Sequence, residues 1–193
     1  MNENDIRCAV HKKLIRYYHQ NNNALVVDEL GIYHGKSRID IAVINGKLSG
    51  IEIKSDTDDL NRLSSQMKLY NSVFNQLSLV ITKKHLERAL ALVSDWWGIV
   101  VATRGPRGGT CFHKFRKAHN NPLIDPYALS TLLWRDEAVE ILEAAGFTGI
   151  LLKKPKKILY KAIIDLFTIE ELQSTISYKL KERQGWRCHV SPL

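Results

Sequence analysis

Residues 24–54 read ALVVDELGIYHGKSRIDIAVINGKLSGIEIK, and this stretch predicts three consecutive β-strands. Its apolar, β-branched runs are separated by glycine-containing breaks at 31–35 and 45–46. Each run carries an acidic residue, and a lysine follows the last acid two positions later: Glu29, Asp40, Glu52 and Lys54. A carboxylate in a buried strand is costly unless it is paired or binds a metal. The stretch therefore suggests a hydrolytic metal site.

The turn between the second and third strands decides whether these acids can act together. A two-residue turn at 45–46 would pair Asp40 with Ile51 and turn Glu52 to the opposite face, because side chains alternate along a strand. A three-residue loop at 45–47 pairs Asp40 with Glu52 instead. We predict that register or an equivalent bulge, because it leaves one polar face and one apolar face. The polar face would hold Arg38, Asp40, Glu52 and Lys54, and the apolar face Ile39, Ile41, Val43, Ile51 and Ile53.

Apolar spacing predicts helices and strands on both sides of this stretch. We expect a first helix over 5–20, with Asp5 as its cap, and strands near 24–30, 37–44 and 48–54. A helix over 59–76, a strand over 77–82, a helix over 83–95 and a strand over 99–103 should follow. This order predicts an α/β (α+β) fold with a mixed central sheet flanked by helices.

The remaining chain predicts a helical C-terminal extension over 120–193, after a core over 1–119 that includes a possible strand at 110–116. Asp125-Pro126 is typical of a helix start, and Gly146 of a helix end. A helix near 157–167 and a capping box from Thr168 to Glu171 are also expected. The basic end, residues 179–193, is predicted to fray.

Composition narrows the class of protein. The net charge is +8, and the excess lies in residues 104–193, which carry 15 Lys or Arg and 9 Asp or Glu. A basic surface favours polyanionic partners such as nucleic acid. No apolar run is long enough for a membrane span, so no membrane partner is expected, and the start of the chain has no signal-peptide pattern. The three cysteines form no CxxC pair, which disfavours zinc and disulfides and fits a cytoplasmic location.

Residues 5–103 resemble the restriction-endonuclease-like core of the PD-(D/E)XK nuclease superfamily, in an uncharacterised bacterial and phage-associated branch. The resemblance is carried by these segments: Arg38-Ile-Asp40, Glu52-Ile-Lys54, Leu60-Asn-Arg-Leu-Ser-Ser-Gln66-Met-Lys-Leu-Tyr70 and Trp96-Trp97-Gly98. It implies an αβββαβ core and a metal-dependent endonuclease or exonuclease that hydrolyses DNA. The implied cofactor is Mg²⁺, with Mn²⁺ as a substitute, because hard oxygen ligands suit both ions.

The same resemblance implies a role for each residue of the acidic pattern. Asp40 and Glu52 would bind the metal together with the carbonyl of Ile53, and Glu29 would hold a metal-bound water or a second ion. Lys54 would orient or deprotonate the attacking water. The helix after the third strand would add Gln66, which positions water or substrate. Phosphate contacts would come from these cationic and phenolic side chains: Arg38, Arg62 and Tyr70.

Further acids and bases leave alternatives open. The first acid lies in Asp-Glu-Leu-Gly instead of Pro-Asp, so Asp28 is an alternative to Glu29, and Glu3 or Asp5 offers another carboxylate. The basic segment 104–119 offers phosphate contacts from Arg104, Arg107, Lys114 and Arg116, although its RGPRGG sequence favours a hairpin turn over a groove-inserting loop.

Other functions also stay open. A noncatalytic nucleic-acid- or protein-binding module on a nuclease scaffold is the main alternative, and a metal-free RNA-processing enzyme is a third. A homodimer or an unidentified protein partner is compatible with the sequence.

Overall fold

A computed structural model of the chain describes residues 1–183. Its sheet has six strands in chain order: β1 Leu25–Ile32, β2 Ser37–Ile44, β3 Leu48–Lys54, β4 Gln76–Thr82, β5 Gly98–Arg104 and β6 Thr110–Arg116. The first three strands are antiparallel, the β3–β4 and β4–β5 pairs are parallel, and β6 is antiparallel to β5. The mixed sheet predicted from the sequence is confirmed.

Helices cover both faces of the sheet. They are α1 Glu3–Ala9, α2 Arg16–His19, α3 Leu63–Asn71, α4 Leu86–Leu92, α5 Pro126–Ser130, α6 Arg135–Ala144, α7 Lys156–Ile164 and α8 Ile169–Glu182. A π-helical segment, Val10–Leu14, joins α1 and α2, and short 3₁₀ segments lie at Lys83–His85 and Leu151–Lys153. The α1 side packs an apolar cluster of its own, whereas α3, α4 and the C-terminal helices share the larger cluster on the other face.

The hairpin between β2 and β3 has the predicted three-residue loop. Ile44 pairs with Leu48 and Ile41 with Ile51, which is the predicted register, and the paired segment ends one residue before Asp40 and Glu52. Asp40 contacts β3 there through its side chain, which accepts a hydrogen bond from Ile53 N. Inside the loop, Asn45 N donates to Lys47 O at 3.0 Å, and Gly46 has a φ of 70°. This positive φ is the reason that glycine suits the loop.

The predicted apolar face is wrong for Ile39. Its side chain packs in the α3-side cluster, whereas Ile41 packs in the α1-side cluster. The alternation breaks between them, where the β1–β2 pairing skips Glu29 and Asp40 and Glu29 has a φ of 57°. Asp40 therefore lies at an irregularity, where its side chain is not committed to either face of the sheet.

The predicted bounds of the first helix and of the helix after β3 are also wrong. The first helix begins at Glu3, because the Asn2 side chain caps it by accepting a hydrogen bond from Asp5 N at 2.8 Å. The helix expected over 59–76 is shorter, since Asn61 N donates to Asp59 Oδ1 and closes a turn before α3.

The C-terminal part is helical as far as Glu182, as predicted. The Thr168 capping box is confirmed, with Glu171 N donating to Thr168 Oγ1 at 3.3 Å, and Gly146 follows α6 with a φ of 88°. Apolar side chains of α5, α7 and α8 belong to the same buried cluster as those of α3. The expectation for the basic terminus falls, from residue 184 onward, outside the described residues.

Candidate active site

A cavity of about 460 Å³ opens where β2 and β3 separate beside α3. It brings together most of the residues that the sequence pattern singles out: Glu29, Arg38, Asp40, Glu52, Ile53, Lys54, Arg62 and Gln66. Glu3, Lys36, Ser37, Asp58, Ser65 and Leu69 complete its wall. Residues as far apart in the sequence as Glu29 and Gln66 therefore line one cavity.

Glu52 and Lys54 form a buried ion pair on β3. Lys54 Nζ donates to Glu52 Oε1 at 2.7 Å, and Glu52 is only 1% exposed. Within residues 1–183, the other carboxylate oxygen, Oε2, is buried and forms no hydrogen bond of standard geometry. Burial raises the pKa of Glu52, although Lys54 and, to a smaller extent, the neighbouring Tyr70 and Gln66 side chains oppose this effect. An unsatisfied buried carboxylate oxygen is costly, so this atom calls for a cationic or hydrogen-bonding ligand.

Asp40 is held from two sides. Ile53 N on β3 donates to its Oδ2 at 2.6 Å, and Arg7 from α1 donates to its Oδ1 at 3.0 Å. Burial raises the pKa of Asp40 to about 7, and the neighbouring charge of Glu52 adds to the rise. The two carboxyl groups therefore repel each other when both are ionised, and a bound cation would relieve that repulsion.

The β1 strand delivers Glu29, and not Asp28, to the cavity. Glu29 lines the wall beside Asp40, whereas Asp28 turns to the other face of the sheet and contacts His11 Nε2 at 3.0 Å. The preference for Glu29 over Asp28 in the sequence pattern thus agrees with their positions. The backbone of Glu29 lies in the left-handed region, which is unusual for a residue other than glycine and is often found at functional sites.

Helix α1 adds two groups that the sequence pattern did not identify as a unit, Glu3 and Arg7. Arg7 Nη2 lies 2.5 Å from Glu3 Oε1, 2.8 Å from Glu29 Oε1 and 3.0 Å from Asp40 Oδ1. Burial opposes the charge on Arg7, but the three carboxylates raise its pKa above the ordinary value. Their spacing of four positions places Glu3 and Arg7 on one side of a helix, which was the available signal in the sequence.

Helix α3 supplies Gln66 to the cavity and buries Tyr70 behind it. The Tyr70 hydroxyl donates to the carbonyl of Arg38, and it accepts from Gln66 Nε2 at 3.2 Å and from Ser37 Oγ at 3.3 Å. The ring is fully buried in the core. The expected phosphate contact from Tyr70 is therefore replaced by a structural role, in which it fixes Gln66 and the start of β2.

Three exposed cationic side chains lie at the mouth of the cavity: Lys36, Arg38 and Arg62. None of the three forms an ion pair with another residue in the described range 1–183. They are therefore free to contact an anionic ligand.

The basic residues of segment 104–119 do not line this cavity. RGPRGG forms the favoured hairpin turn between β5 and β6, in which Arg104 pairs with Asp5 at 3.5 Å and Arg107 is exposed. Lys114 lies on the α1 side, in a separate cavity beside Tyr18. Arg116 is occupied structurally, since it donates to the carbonyls of Trp97 and Ser94 and pairs with Asp95; its expected role in binding nucleic acid does not fit these contacts.

Comparison with known proteins places the chain in a family. Residues 1–189 match the model of the family described as bacteriophage P4 protein cII. The chain belongs to the bacteriophage P4 protein cII family. Protein cII of Enterobacteria phage P4 is 28% identical over 127 residues, which are 66% of this chain and 48% of that protein, so the match spans about half of the relative's length.

A solved structure is similar to this member of the cII family at a lower sequence identity. It is a protein of unknown function from Silicibacter pomeroyi, with a TM-score of 0.43 and 18% sequence identity, covering 74% of this chain and 92% of the other. Over residues 1–183 of the cII-family chain, no helix is both long enough and apolar enough to cross a membrane.

The donor atoms in this cII-family chain fit a hard divalent cation. Asp40 and Glu52 offer carboxylate oxygens beside the backbone of Ile53 in the wall of the cavity. Mg²⁺ and Mn²⁺ prefer oxygen ligands of this kind. These are therefore the residues that could hold such an ion, and exposed cationic side chains lie at the mouth of the same cavity.

Proposed function

We propose that this chain is a metal-dependent nuclease that hydrolyses DNA phosphodiester bonds, with a restriction-endonuclease-like core of the PD-(D/E)XK type. The observation that carries the proposal is the buried Glu52 carboxylate, which lines the cavity with Asp40 and pairs with Lys54. Tyr70 and Gln66 lie beside this carboxylate, but its Oε2 forms no hydrogen bond of standard geometry within residues 1–183. Structural carboxylates in cores normally satisfy both oxygens, so this arrangement favours a ligand-binding role.

Asp40, Glu52 and the Ile53 carbonyl would hold one Mg²⁺ or Mn²⁺ ion. Such an ion supplies Lewis-acid polarisation of the scissile phosphate and a more acidic water. Asp40 is pre-oriented for this task, because Ile53 N and Arg7 fix its carboxylate from opposite sides. Each carboxylate oxygen has two acceptor positions, so these hydrogen bonds leave room for a cation.

Lys54 and Gln66 would act on the reacting groups. The Lys54 ammonium, which donates to Glu52 at 2.7 Å, would donate a hydrogen bond to the attacking water and stabilise charge that develops on the phosphate. Gln66 Nε2 donates to the Tyr70 hydroxyl at 3.2 Å. Its Oε1 is buried without a hydrogen-bond partner in the described chain and would accept a hydrogen bond from that water.

The substrate backbone would cross the mouth of the cavity. Lys36, Arg38 and Arg62 are exposed there and can neutralise phosphates on either side of the scissile bond. These contacts carry no sequence information by themselves, so the proposal concerns the phosphodiester and not a recognition sequence.

A cleavage assay tests the proposed function. Linear, circular, single-stranded and branched DNA are incubated with the protein in Mg²⁺, in Mn²⁺ and in EDTA, beside Asp40→Asn and Lys54→Ala. Asp165→Asn is a matched control, because Asp165 is an exposed carboxylate at the C-terminal end of α7, outside the cavity. We expect metal-dependent products from the wild type and the control, and a loss of about 10³-fold or more in Asp40→Asn, since ion-mediated stabilisation amounts to several kcal/mol.

Two results would contradict the proposal. Cleavage that persists in EDTA would point to the metal-free RNA-processing alternative, once RNA is included as a substrate. Metal-independent DNA binding without products from any substrate would point to the noncatalytic binding module.

A further inference from the structure

The Arg7 guanidinium occupies a position that resembles a cation site. Glu3 on α1, Glu29 on β1 and Asp40 on β2 offer carboxylate oxygens that all lie within 4.8 Å of one another. Arg7 Nη2 lies within 3.0 Å of an oxygen of each, and Nη1 donates to the Asp40 carbonyl at 2.7 Å. One nitrogen is therefore surrounded by three carboxylates from three elements, as a metal ion would be.

The charges of the contacting groups favour one bound ion and not two. Four carboxylates, those of Glu3, Glu29, Asp40 and Glu52, contact two cationic groups, Arg7 and Lys54. With every group ionised, this cluster carries a charge of −2, which a single divalent cation neutralises. A second divalent ion would have to displace Arg7, whose side chain is only 15% exposed and has little room to withdraw.

We propose that Arg7 permanently fills the second cation position of the site, so that the native protein binds one divalent ion, at Asp40 and Glu52. Arg7 is thereby a positioning residue: it neutralises Glu3 and Glu29 and orients Asp40 toward the ion that Asp40 shares with Glu52. The inference rests on the proposed function for that single ion. It identifies Arg7 as the residue that sets the number of ions.

Glu3 and Glu29, which pair with Arg7, are more exposed to solvent than Asp40. The Glu3 and Glu29 side chains are 44% and 43% exposed, against 16% for Asp40. Water can compensate the first two when Arg7 is removed, so an Arg7 variant need not collapse. The pocket left by a neutral side chain would then expose three convergent carboxylates to a small, hard cation.

Calorimetric titration with Mn²⁺ tests the inference through stoichiometry, without any substrate. We expect one ion for the wild type and two for Arg7→Met. The double variant Arg7→Met/Glu3→Gln should return to one, because it removes a ligand of the new position. Arg7→Lys keeps a cation and should also bind one. Two ions in the wild type, or no gain of an ion in Arg7→Met, would overturn the inference.

The same titration separates this inference from the proposed function. No ion in the wild type but one in Arg7→Met, lost again in the double variant, would support the role of Arg7 and contradict the metal site at Asp40 and Glu52. If Arg7→Met does not fold, Glu3→Gln decides: an unchanged single ion supports the inference, since Glu3 then serves Arg7, and a reduced stoichiometry contradicts it. Thermal unfolding in EDTA identifies the folded variants.

Discussion

The two halves of the cavity differ in how their carboxylates are neutralised. On the β3–α3 side, Glu52 is buried beside Lys54 and keeps one oxygen that forms no hydrogen bond of standard geometry within residues 1–183. On the α1–β1 side, Glu3 and Glu29 are partly exposed and share the Arg7 guanidinium. The first half has spare coordinating capacity, whereas the second already contains its cation. Asp40 lies between the two halves and contacts groups of both. The difference indicates that a cationic ligand will bind in the β3–α3 half.

Neutralising one carboxylate in each half gives the largest contrast. Glu52→Gln should lower DNA cleavage by about 10³-fold or more, because it removes a direct metal ligand. Glu29→Gln should lower it by no more than about tenfold, since Arg7 and Glu3 remain and a partly exposed ion pair contributes little. Metal-dependent cleavage rates for both variants measure the contrast. Equal losses would show that the halves are equivalent.

Replacing Lys54 should lower the free energy of unfolding, because Glu52 in the β3–α3 half would lose its cationic partner. In EDTA, Lys54→Met leaves Glu52 buried without its cation, and loss of one partner of a buried pair costs about 3–5 kcal/mol. Urea unfolding with and without Mg²⁺ measures the effect, and Mg²⁺ should restore part of the lost free energy of unfolding. Stability that is the same in EDTA as in the wild type would contradict the tight coupling of Glu52 and Lys54.

The pH dependence of stability probes Asp40 at the junction. Its folded pKa is about 7, against 3.8 ordinarily, so the folded state favours the protonated form. The stabilisation by protonated Asp40 is complete below about pH 4, decreases as the pH rises, and is lost once the pH has passed about 7. The free energy of unfolding falls by at most about 4 kcal/mol over this range. Unfolding in EDTA from pH 4 to 8 should show this decline, and Asp40→Asn should flatten it, leaving the smaller contribution of Glu52, whose pKa is also raised. Parallel pH profiles would contradict the assignment.

The smallest expected effect concerns DNA affinity at the mouth of the cavity. Arg62→Ala should weaken binding of DNA to the Asp40→Asn protein uniformly across sequences and lower the salt slope by about one, as loss of one phosphate contact does. Arg116→Ala should leave binding unchanged and lower the thermal stability, because Arg116 holds the segment at Ser94–Trp97. Fluorescence anisotropy at several salt concentrations compares the two; a larger effect from Arg116 would reverse the assignment.

The β3–α3 half could be predicted from sequence because strand alternation and loop length govern it. The three-residue loop at 45–47 follows from the need for one apolar face, and it sets the register that ends at Ile41 and Ile51, next to Asp40 and Glu52. Gln66 was expected from the resemblance to PD-(D/E)XK nucleases, and it lines the cavity from α3. The placement of Ile39 was wrong because alternation fails at a strand irregularity, which apolar patterning does not reveal.

The α1–β1 half depends on tertiary packing that local patterns do not contain. Arg7 meets Asp40 across 33 sequence positions, through the packing of α1 on the other face of the sheet. In the basic segment 104–119, the charge composition suggested phosphate binding. Arg116, however, donates to the Trp97 carbonyl and pairs with Asp95, so it has a structural role. Composition reports how many charges exist, and only the fold determines which of them have partners.

The position of a bound metal ion decides whether Asp40 and Glu52 form the metal site and whether Arg7 fills the neighbouring position. Crystals of the wild-type protein soaked in Mn²⁺ and measured at the manganese absorption edge would show the ion by anomalous scattering. We expect one peak, coordinated by Asp40, Glu52 and the Ile53 carbonyl, with Arg7 still among Glu3, Glu29 and Asp40. No peak at Asp40 and Glu52, or a peak in place of Arg7, would contradict it.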